Sequence, residues 1–495
     1  MATRMSPRPS RRRWSAVLTA ERARPEGIRS RPNAWWLALG TVCFGAFMGQ
    51  LDASIVTLTY GSLRTEFHTS LAAVEWVSLA YLITLVALLI PAGRLADAHG
   101  RKLLYLYGFA VFTVASAACG LAPSLGALVG FRMVQAAGAA LMQANSVALV
   151  TTSAPRERMR TALGVQAAAQ ALGLALGPTV GGVLVSTLGW RWVFGVNVPV
   201  GLIALVAGHY LVPRTRARTR VAGFDWQGLS LLAVATTSVL LGVSAASGLP
   251  VPGWGVTVLF AVAAVAGWGF VRRQRRAATP LLDLALLRGR AVAFGLVGAL
   301  SGYLVLFGPL VLVPVVLMAR GTSALMAGTV LTALPAGFAL AATGGDRLLP
   351  RSLADRSRCL AGAGVFALAT AALLAVPLTI AWLVPVLALA GLGLGTFTPA
   401  NNTMIMRAIP DRASGTGGGL VNMTRGLGTA LGVALVTLAL HLAGDGGGQA
   451  GARWASAILV AASAVAVASA WLSPGRGAEG GTGDAVTRYV RGPRG

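Results

Sequence analysis

Acidic residues are scarce in this chain: 15 Asp and Glu face 41 Lys and Arg among 495 residues, and only 11% of the sequence is charged. The net charge of +26 would point to nucleic acid in a soluble protein. Here the basic residues sit in short runs between long apolar stretches, a placement that serves lipid headgroups and membrane topology instead. Cysteine is limited to Cys43, Cys119 and Cys359, all inside apolar runs and without metal-ligand spacing, so they read as small packing residues. The four histidines, His68, His99, His209 and His441, are scattered and accompany no nucleophile–base set, which excludes an obvious catalytic centre. No GxxxxGK[ST] phosphate loop occurs, so ATP-driven pumping by this chain is excluded as well.

What the chain has is apolar length. Hydrophobic residues make up 55% of it, more than a soluble domain hides, and the class is an all-α integral membrane protein. A span needs about 20 apolar residues. Fourteen stretches qualify: 35–58, 72–92, 103–121, 125–153, 161–188, 193–212, 226–247, 254–271, 291–318, 322–343, 359–377, 379–407, 414–442 and 454–473. With the N-terminus inside, only Arg64, Arg191, Arg320 and Arg453 fall on the outer side, and only Arg132 and Arg425 fall within spans. Every other basic residue is cytoplasmic, so both termini are placed there. Ser10-Arg11-Arg12-Arg13-Trp14 resembles a twin-arginine signal, but Glu21, Arg22 and Arg24 follow where an apolar region is required, so the first span reads as retained.

The chain also echoes itself. Leu95-Ala-Asp97 recurs as Leu353-Ala-Asp355, Ala144-Asn145 as Ala400-Asn401, Pro155-Arg156-Glu157-Arg158 as Pro410-Asp411-Arg412, and Leu172–Gly177 as Leu427–Gly432. Four echoes at a nearly constant offset imply two six-span halves with two further spans between them, a plan that rocks around a midplane cavity. The expected organisation is a basic cytoplasmic tail over 1–34, a six-helix bundle over 35–212, two linking helices with basic loops over 213–290, a second six-helix bundle over 291–473, and a cytoplasmic tail over 474–495.

Asp52 is the only carboxylate well inside a span, where a charge costs several kcal/mol unless it has a partner, a proton or a task. Arg132, seven residues into an outward-starting span, reaches a similar depth in the outer third. Asp52 then takes up protons from outside with Arg132 biasing its protonation, or the two form a static ion pair that fixes packing. Gly93-Arg94-Leu95-Ala96-Asp97-Ala98-His99-Gly100-Arg101-Lys102 closes span two and turns into span three. Gly93 permits close helix approach and Gly100 a tight turn, while Arg101 and Lys102 keep the loop cytoplasmic. Asp97 reads either as a cap on the N-terminus of span thirteen near Ser414-Gly415, latching one state, or as part of a solvated turn. Gly173, Gly177, Gly181 and Gly182 lay a bare groove along span five, and Pro178 removes a backbone donor beside it.

Other polar groups within spans are cavity candidates or helix–helix hydrogen-bonding groups: Gln50, Gln143, Asn145, Gln166, Gln170, Asn401, Asn402, Asn422 and Arg425. Arg425 has no carboxylate near it in sequence, so it meets an anionic group of the cargo or points at Asp52 across the cavity. Phe44, Trp76 and Tyr81 either stack on the cargo or simply pack.

These motifs carry a resemblance. Residues 93–102 resemble the span-two loop motif of the major facilitator superfamily, and Arg132-Met-Val-Gln135-Ala-Ala-Gly138 its span-four motif. Gly173–Gly182 resembles its antiporter motif. Trp190–Gly201 and Asn422–Gly432 are similar to stretches of its fourteen-span drug:proton antiporters. The likeness covers roughly residues 35–470. It implies proton-coupled export of lipophilic or cationic compounds, a proton-linked role for Asp52, and coupling or gating roles for Arg132, Asp97 and the span-five glycines. Ala98 stands where the loop motif often has Arg, and the Asn and Pro usual after the span-one acid are missing.

The expected function is a secondary exporter exchanging protons for a small drug-like compound. Proton-coupled uptake of a metabolite and a non-transporting membrane sensor are the alternatives. The expected partners are a small-molecule cargo, protons and the lipid bilayer of the cell membrane, with the chain acting as a monomer. No nucleic acid, metal or cofactor is called for beyond the proton gradient.

Overall fold

A computed structural model describes residues 21, 23–31, 33–69, 71–215, 224–246, 252–348, 350, 353–442 and 449–474. Most of the two basic tails, 1–20 and 475–495, therefore lies outside the described residues. Among these residues fourteen long helices carry the fold: α1 Ala34–Ile55, α2 Leu71–His99, α3 Arg101–Gly120, α4 Leu125–Ser153, α5 Met159–Thr187, α6 Asn197–Leu211 and α7 Trp226–Ala246. They continue as α8 Gly253–Arg276, α9 Arg290–Ala319, α10 Ala333–Leu348, α11 Asp355–Ala375, α12 Ile380–Ala408, α13 Ser414–Leu442 and α14 Gln449–Leu472. Thirteen segments of the described residues are long and apolar enough to cross a bilayer, and α5, with 29 residues, has the length to do so. Helices are the form that satisfies every backbone donor and acceptor without water.

Where a span is broken, a residue explains it. Gly100, at φ 119°, separates α2 from α3 in a conformation that a side chain would strain. The tenth span, read from sequence as continuous, is two helices, Ala324–Leu331 and α10. Pro335 has no N–H to give to the Leu331 carbonyl, where the first of them stops. Trp36, Trp226, Trp254, Trp382, Trp454 and Trp471 lie exposed near helix ends, as an interfacial aromatic belt requires.

The halves share one packing plan. α1 packs on α4, α5 and α6, as α9 packs on α12, α13 and α14; α2 meets α4 as α10 meets α12; and α3 lies against α4 and α6 as α11 lies against α12 and α14. Small residues repeat with it. A methyl on Gly138 would stand 2.6 Å from the Phe112 amide nitrogen, and one on Gly393 2.6 Å from that of Phe366. Facing them, Gly108 and Gly362 do the same service from α3 and α11. With little hydrophobic drive between helices in lipid, such close backbone approach is a main source of cohesion.

α7 and α8 form a hairpin, and α7 lies against both α2 and α13, where the two halves meet. Asp225 ties the hairpin together: it caps α7 by accepting from the Gly228 amide (2.9 Å) and accepts from Gln274 Nε2 (2.9 Å) and Arg273 Nε (3.1 Å) of α8.

The halves join through α2–α13, α4–α13, α5–α10 and α5–α12. Gly419 faces the Leu89 carbonyl, Gly418 the Ala144 carbonyl and Gly164 the Ala342 carbonyl, so a methyl on any of them would strike backbone. These contacts lie toward the end of the molecule that carries the 93–102 loop, called the basic end below. Substituting Gly138→Val or Gly393→Val should cost about 1–3 kcal/mol by overpacking. Gly364→Ala, whose added methyl meets nothing within 4 Å, should be silent. Thermal unfolding of the detergent-solubilised protein checks this.

Candidate functional site

The chemistry-bearing centre lies between α1, α4 and α6. Asp52 and Arg132 are each 1% exposed and pair directly, with Arg132 Nη1 2.7 Å from Asp52 Oδ2. The carboxylate is fully engaged: its other oxygen accepts from Gln135 Nε2 at 3.0 Å and from Asn197 Nδ2 at 2.7 Å. Arg132 also donates to Gln135 Oε1 (2.6 Å) and through Nε to the Val77 carbonyl (3.2 Å). Gln135 is steadied in turn by the Ser116 hydroxyl, 2.7 Å from its Nε2. The guanidinium lies 4.0 Å from the Tyr81 ring centroid and 5.7 Å from that of Phe194.

Of the two readings open for the aromatics, Tyr81 takes the packing one, stacked on Arg132; Phe44 packs into the neighbouring core, while Trp76 is exposed. The sequence alone does not name Gln135 and Asn197 as partners of the pair; the signal it carries is that each is a polar residue inside an otherwise apolar motif. Asn197 reaches the site because it opens α6, directly after the short helix Arg191–Gly195.

The glycine groove of α5 holds α1 against this centre. A methyl on Gly173 would meet Phe47 backbone, one on Gly177 would strike the Ser54 side chain, and one on Gly181 would press on Ile55 and Leu58. These residues of α1 and of the turn after it flank Asp52 on both sides. Gly182 is outside the groove, with nothing within 4 Å of an added methyl. The helix backbone runs unbroken through position 178, while the ring of Pro178 lies outside the described side chains. The echo has the same geometry, with Gly428 and Gly432 of α13 against the backbone of Leu300 and Leu304 in α9.

At the basic end, the structure brings Asp97 to the N-terminus of α13. Its carboxylate accepts from the amides of Gly415 (2.8 Å) and Thr416 (2.7 Å) and from the Thr416 hydroxyl (2.8 Å). An anion at a helix N-terminus is favoured by the free amides and the dipole. Arg101 pairs with Asp97 at 3.0 Å and donates to the Asp411 carbonyl across the junction. Gly93 lies against Gly415 with no room for a side chain between them. Arg101 and Lys102, read from sequence as keeping this loop cytoplasmic, are both buried, against the alternative of a solvated turn; Lys102 Nζ donates to the His209 carbonyl at 2.7 Å.

Asp355, the echo of Asp97, makes the matching junction differently. It accepts from Arg160 Nε of α5 at 2.8 Å and from Arg407 Nη1 of α12 at 2.8 Å. One half thus uses helix-end amides and the other a guanidinium, at equivalent helix starts.

The remaining polar candidates divide. Gln166 donates to the Ser146 hydroxyl (2.9 Å), Asn401 to the Gly295 carbonyl (2.8 Å), and Asn145 to the Leu141 carbonyl of its own helix (2.7 Å), so their amide donors are taken, while Asn145 Oδ1 has no partner among the described residues. Gln50 is half-buried, and the Gln143 backbone carbonyl accepts from Asn422 Nδ2 (2.7 Å). Arg425 does not reach Asp52; its Nη1 lies 3.2 Å from Asn422 Oδ1 and 3.5 Å from Gln170 Oε1. Asn402 is buried without a partner for either end of its amide among the described residues.

Removing one member of a buried ion pair strands the other charge. Asp52→Ala should therefore destabilise the protein by about 3–5 kcal/mol, and the double variant Asp52→Ala/Arg132→Leu should recover part of the loss. Unfolding midpoints of the single and double variants measure this; a strictly additive double variant contradicts the pairing.

A sequence model described as the Major Facilitator Superfamily matches residues 42–433. The methylenomycin A resistance protein of Bacillus subtilis (strain 168) is 32% identical over 446 residues, covering 87% of this chain and 92% of that protein. The tetracenomycin C resistance and export protein of Streptomyces glaucescens is 39% identical over 274 residues, which is 55% of this chain and half of that protein's length. The crystal structure of the human organic anion transporter MFSD10 superposes with a TM-score of 0.63 at 16% identity, covering 88% of this chain and 100% of that one, and supports the fold alone. With fourteen long helices, two halves built alike and a matching family model over most of its length, the chain belongs to the Major Facilitator Superfamily and is a transporter, not an enzyme.

Proposed function

We propose that the protein is a secondary exporter of small drug-like compounds, driven by inward proton movement through Asp52. The observation that carries this reading is the buried Asp52–Arg132 pair, with Gln135 and Asn197 completing the shell of the acid. Relatives named for antibiotic resistance and export support the direction and the kind of cargo. The basic end is the cytoplasmic one, as the bias of basic residues toward it favours, and the chain works in the cell membrane as a monomer.

The cycle follows from charge. With Asp52 ionised, its pair with Arg132 holds α1 to α4, and the Asp97–α13 junction closes the cytoplasmic side. A proton arriving from outside neutralises Asp52 and leaves Arg132 as an uncompensated buried cation, which is costly in the membrane interior. Its relief is a shift of α1 and α5 against α4 and α6, which strains the junctions at Asp97 and Asp355 and opens the cytoplasmic side. Proton release there restores the pair. No cofactor is needed, because the gradient supplies the work: one charge crossing 100 mV yields about 2.3 kcal/mol, enough for roughly a fiftyfold concentration ratio.

Asp52→Asn keeps the shape of the side chain and removes the exchangeable charge. In everted vesicles loaded with a pH-sensitive dye, addition of a transported compound should release protons from the wild type and none from Asp52→Asn. Full proton release from the variant sinks the coupling role of Asp52.

A further inference from the structure

The second half contains a buried cation that its surroundings do not neutralise. Arg425 of α13 is 4% exposed, yet no carboxylate pairs with it among the described residues, and its Nε has no hydrogen-bond partner there. Its neighbours are neutral: Asn422 Oδ1 at 3.2 Å, Gln170 Oε1 at 3.5 Å and the Tyr303 ring at 5.2 Å. Arg132 offers the internal comparison, since the same group at similar burial is there given a carboxylate, an amide oxygen and a backbone carbonyl.

The position of Arg425 is central. The echo that aligns Leu172 with Leu427 also aligns Gln170 with Arg425, and these two equivalent residues touch. Residues related by an internal two-fold meet only on its axis, where transporters of repeated halves hold their cargo. Tyr303 also lines a crevice, closed to water here, with Gly302, Phe397, Thr398, Asn401 and Asn402, and Asn402 brings to it an amide with both ends unpartnered among the described residues. Tyr303 stacks on Phe307 at 6.2 Å, extending the aromatic wall. A lone cation on the axis, with the Tyr303 ring beside it and an idle amide in the adjoining crevice, makes an incomplete site for a flat organic anion.

We propose that the cargo carries one acidic group, a carboxylate or an ionised phenol on an aromatic or conjugated framework, which pairs with Arg425 while Asn402 and Tyr303 take its polar edge and its ring. This deepens the exporter reading and rests on it for direction, though binding itself does not. One proton moving in for one monoanion moving out transfers two positive charges inward, so transport is driven by the membrane potential as well as by the pH difference. Exchange of a proton for a monocation would transfer none.

The probes are 9-anthracenecarboxylate, its neutral counterpart 9-anthracenemethanol, and ethidium as a cation. Binding to the full protein in nanodiscs is followed by energy transfer from tryptophan, in gluconate and in chloride buffer. The acid should bind more tightly than the alcohol or ethidium, Arg425→Gln should weaken it about tenfold, as loss of a charge-assisted contact does, and Arg425→Lys should restore most of it. Tighter binding of the alcohol or ethidium, indifference to Arg425→Gln, or complete displacement by chloride as an inorganic counter-ion overturns the proposal. In everted vesicles, uptake of the acid should fall when valinomycin with potassium collapses the potential. Binding without any flux sinks the exporter reading alone, while flux of ethidium unaffected by Arg425→Gln sinks this inference alone.

Discussion

The structure depends on one buried ion pair that cannot be left half made. In the membrane interior Asp52 or Arg132 left alone is costly, and the neighbours that touch them satisfy the pair. Gln135 bridges both charges, Asn197 takes the second carboxylate oxygen, and Tyr81 covers the guanidinium face. The helices that supply these groups are bound to one another through the pair, and the proposed cycle couples its protonation state to their arrangement. In that proposal the network is satisfied with Asp52 ionised and broken when it is protonated, which is what a switch needs.

In the proposed cycle the glycines of α5 carry that change into helix contact. Gly173, Gly177 and Gly181 let α5 lie against the stretch of α1 that carries Asp52, so α1 cannot shift without sliding along the groove. At its other end α5 meets the second half, through Gly164 against α10 and Arg160 against Asp355. The line from Asp52 to the junction between halves therefore runs along a single helix. The α7–α8 hairpin, set beside α2 and α13 with Asp225 fastening its base, rests on the opposite junction and will feel any change there.

Much of this was legible in the sequence, and the reasons are physical. Span length and the bias of basic residues are one-dimensional properties of the bilayer as solvent, so the helices could be counted before the fold was known. The internal repeat was visible in short echoes such as Leu95–Asp97 and Leu353–Asp355, and its packing counterpart is the Gly138 and Gly393 pair of close approaches. Partners were harder. Asn197 reaches Asp52 from 145 residues away, and nothing in its local sequence says which acid it will serve. The break at Thr332 came from Pro335 acting on a carbonyl four residues back, an effect the apolar run conceals. Arg425 could be seen to lack a nearby acid, but not whether Asp52 was free to meet it; Arg132 had already claimed that acid.

The central claim is that the charge on Asp52 sets which side of the transporter is closed. Spin labels at Leu121, 80% exposed after α3, and Ile380, at the start of α12, report the separation of the two halves at the end opposite the 93–102 loop. Double electron–electron resonance on Leu121→Cys/Ile380→Cys should show the distance shortening as the wild type is brought from alkaline to acid pH. The same pair carrying Asp52→Asn should show the short distance at every pH. A distance that ignores pH in the wild type, or still follows pH without the Asp52 carboxylate, contradicts the account.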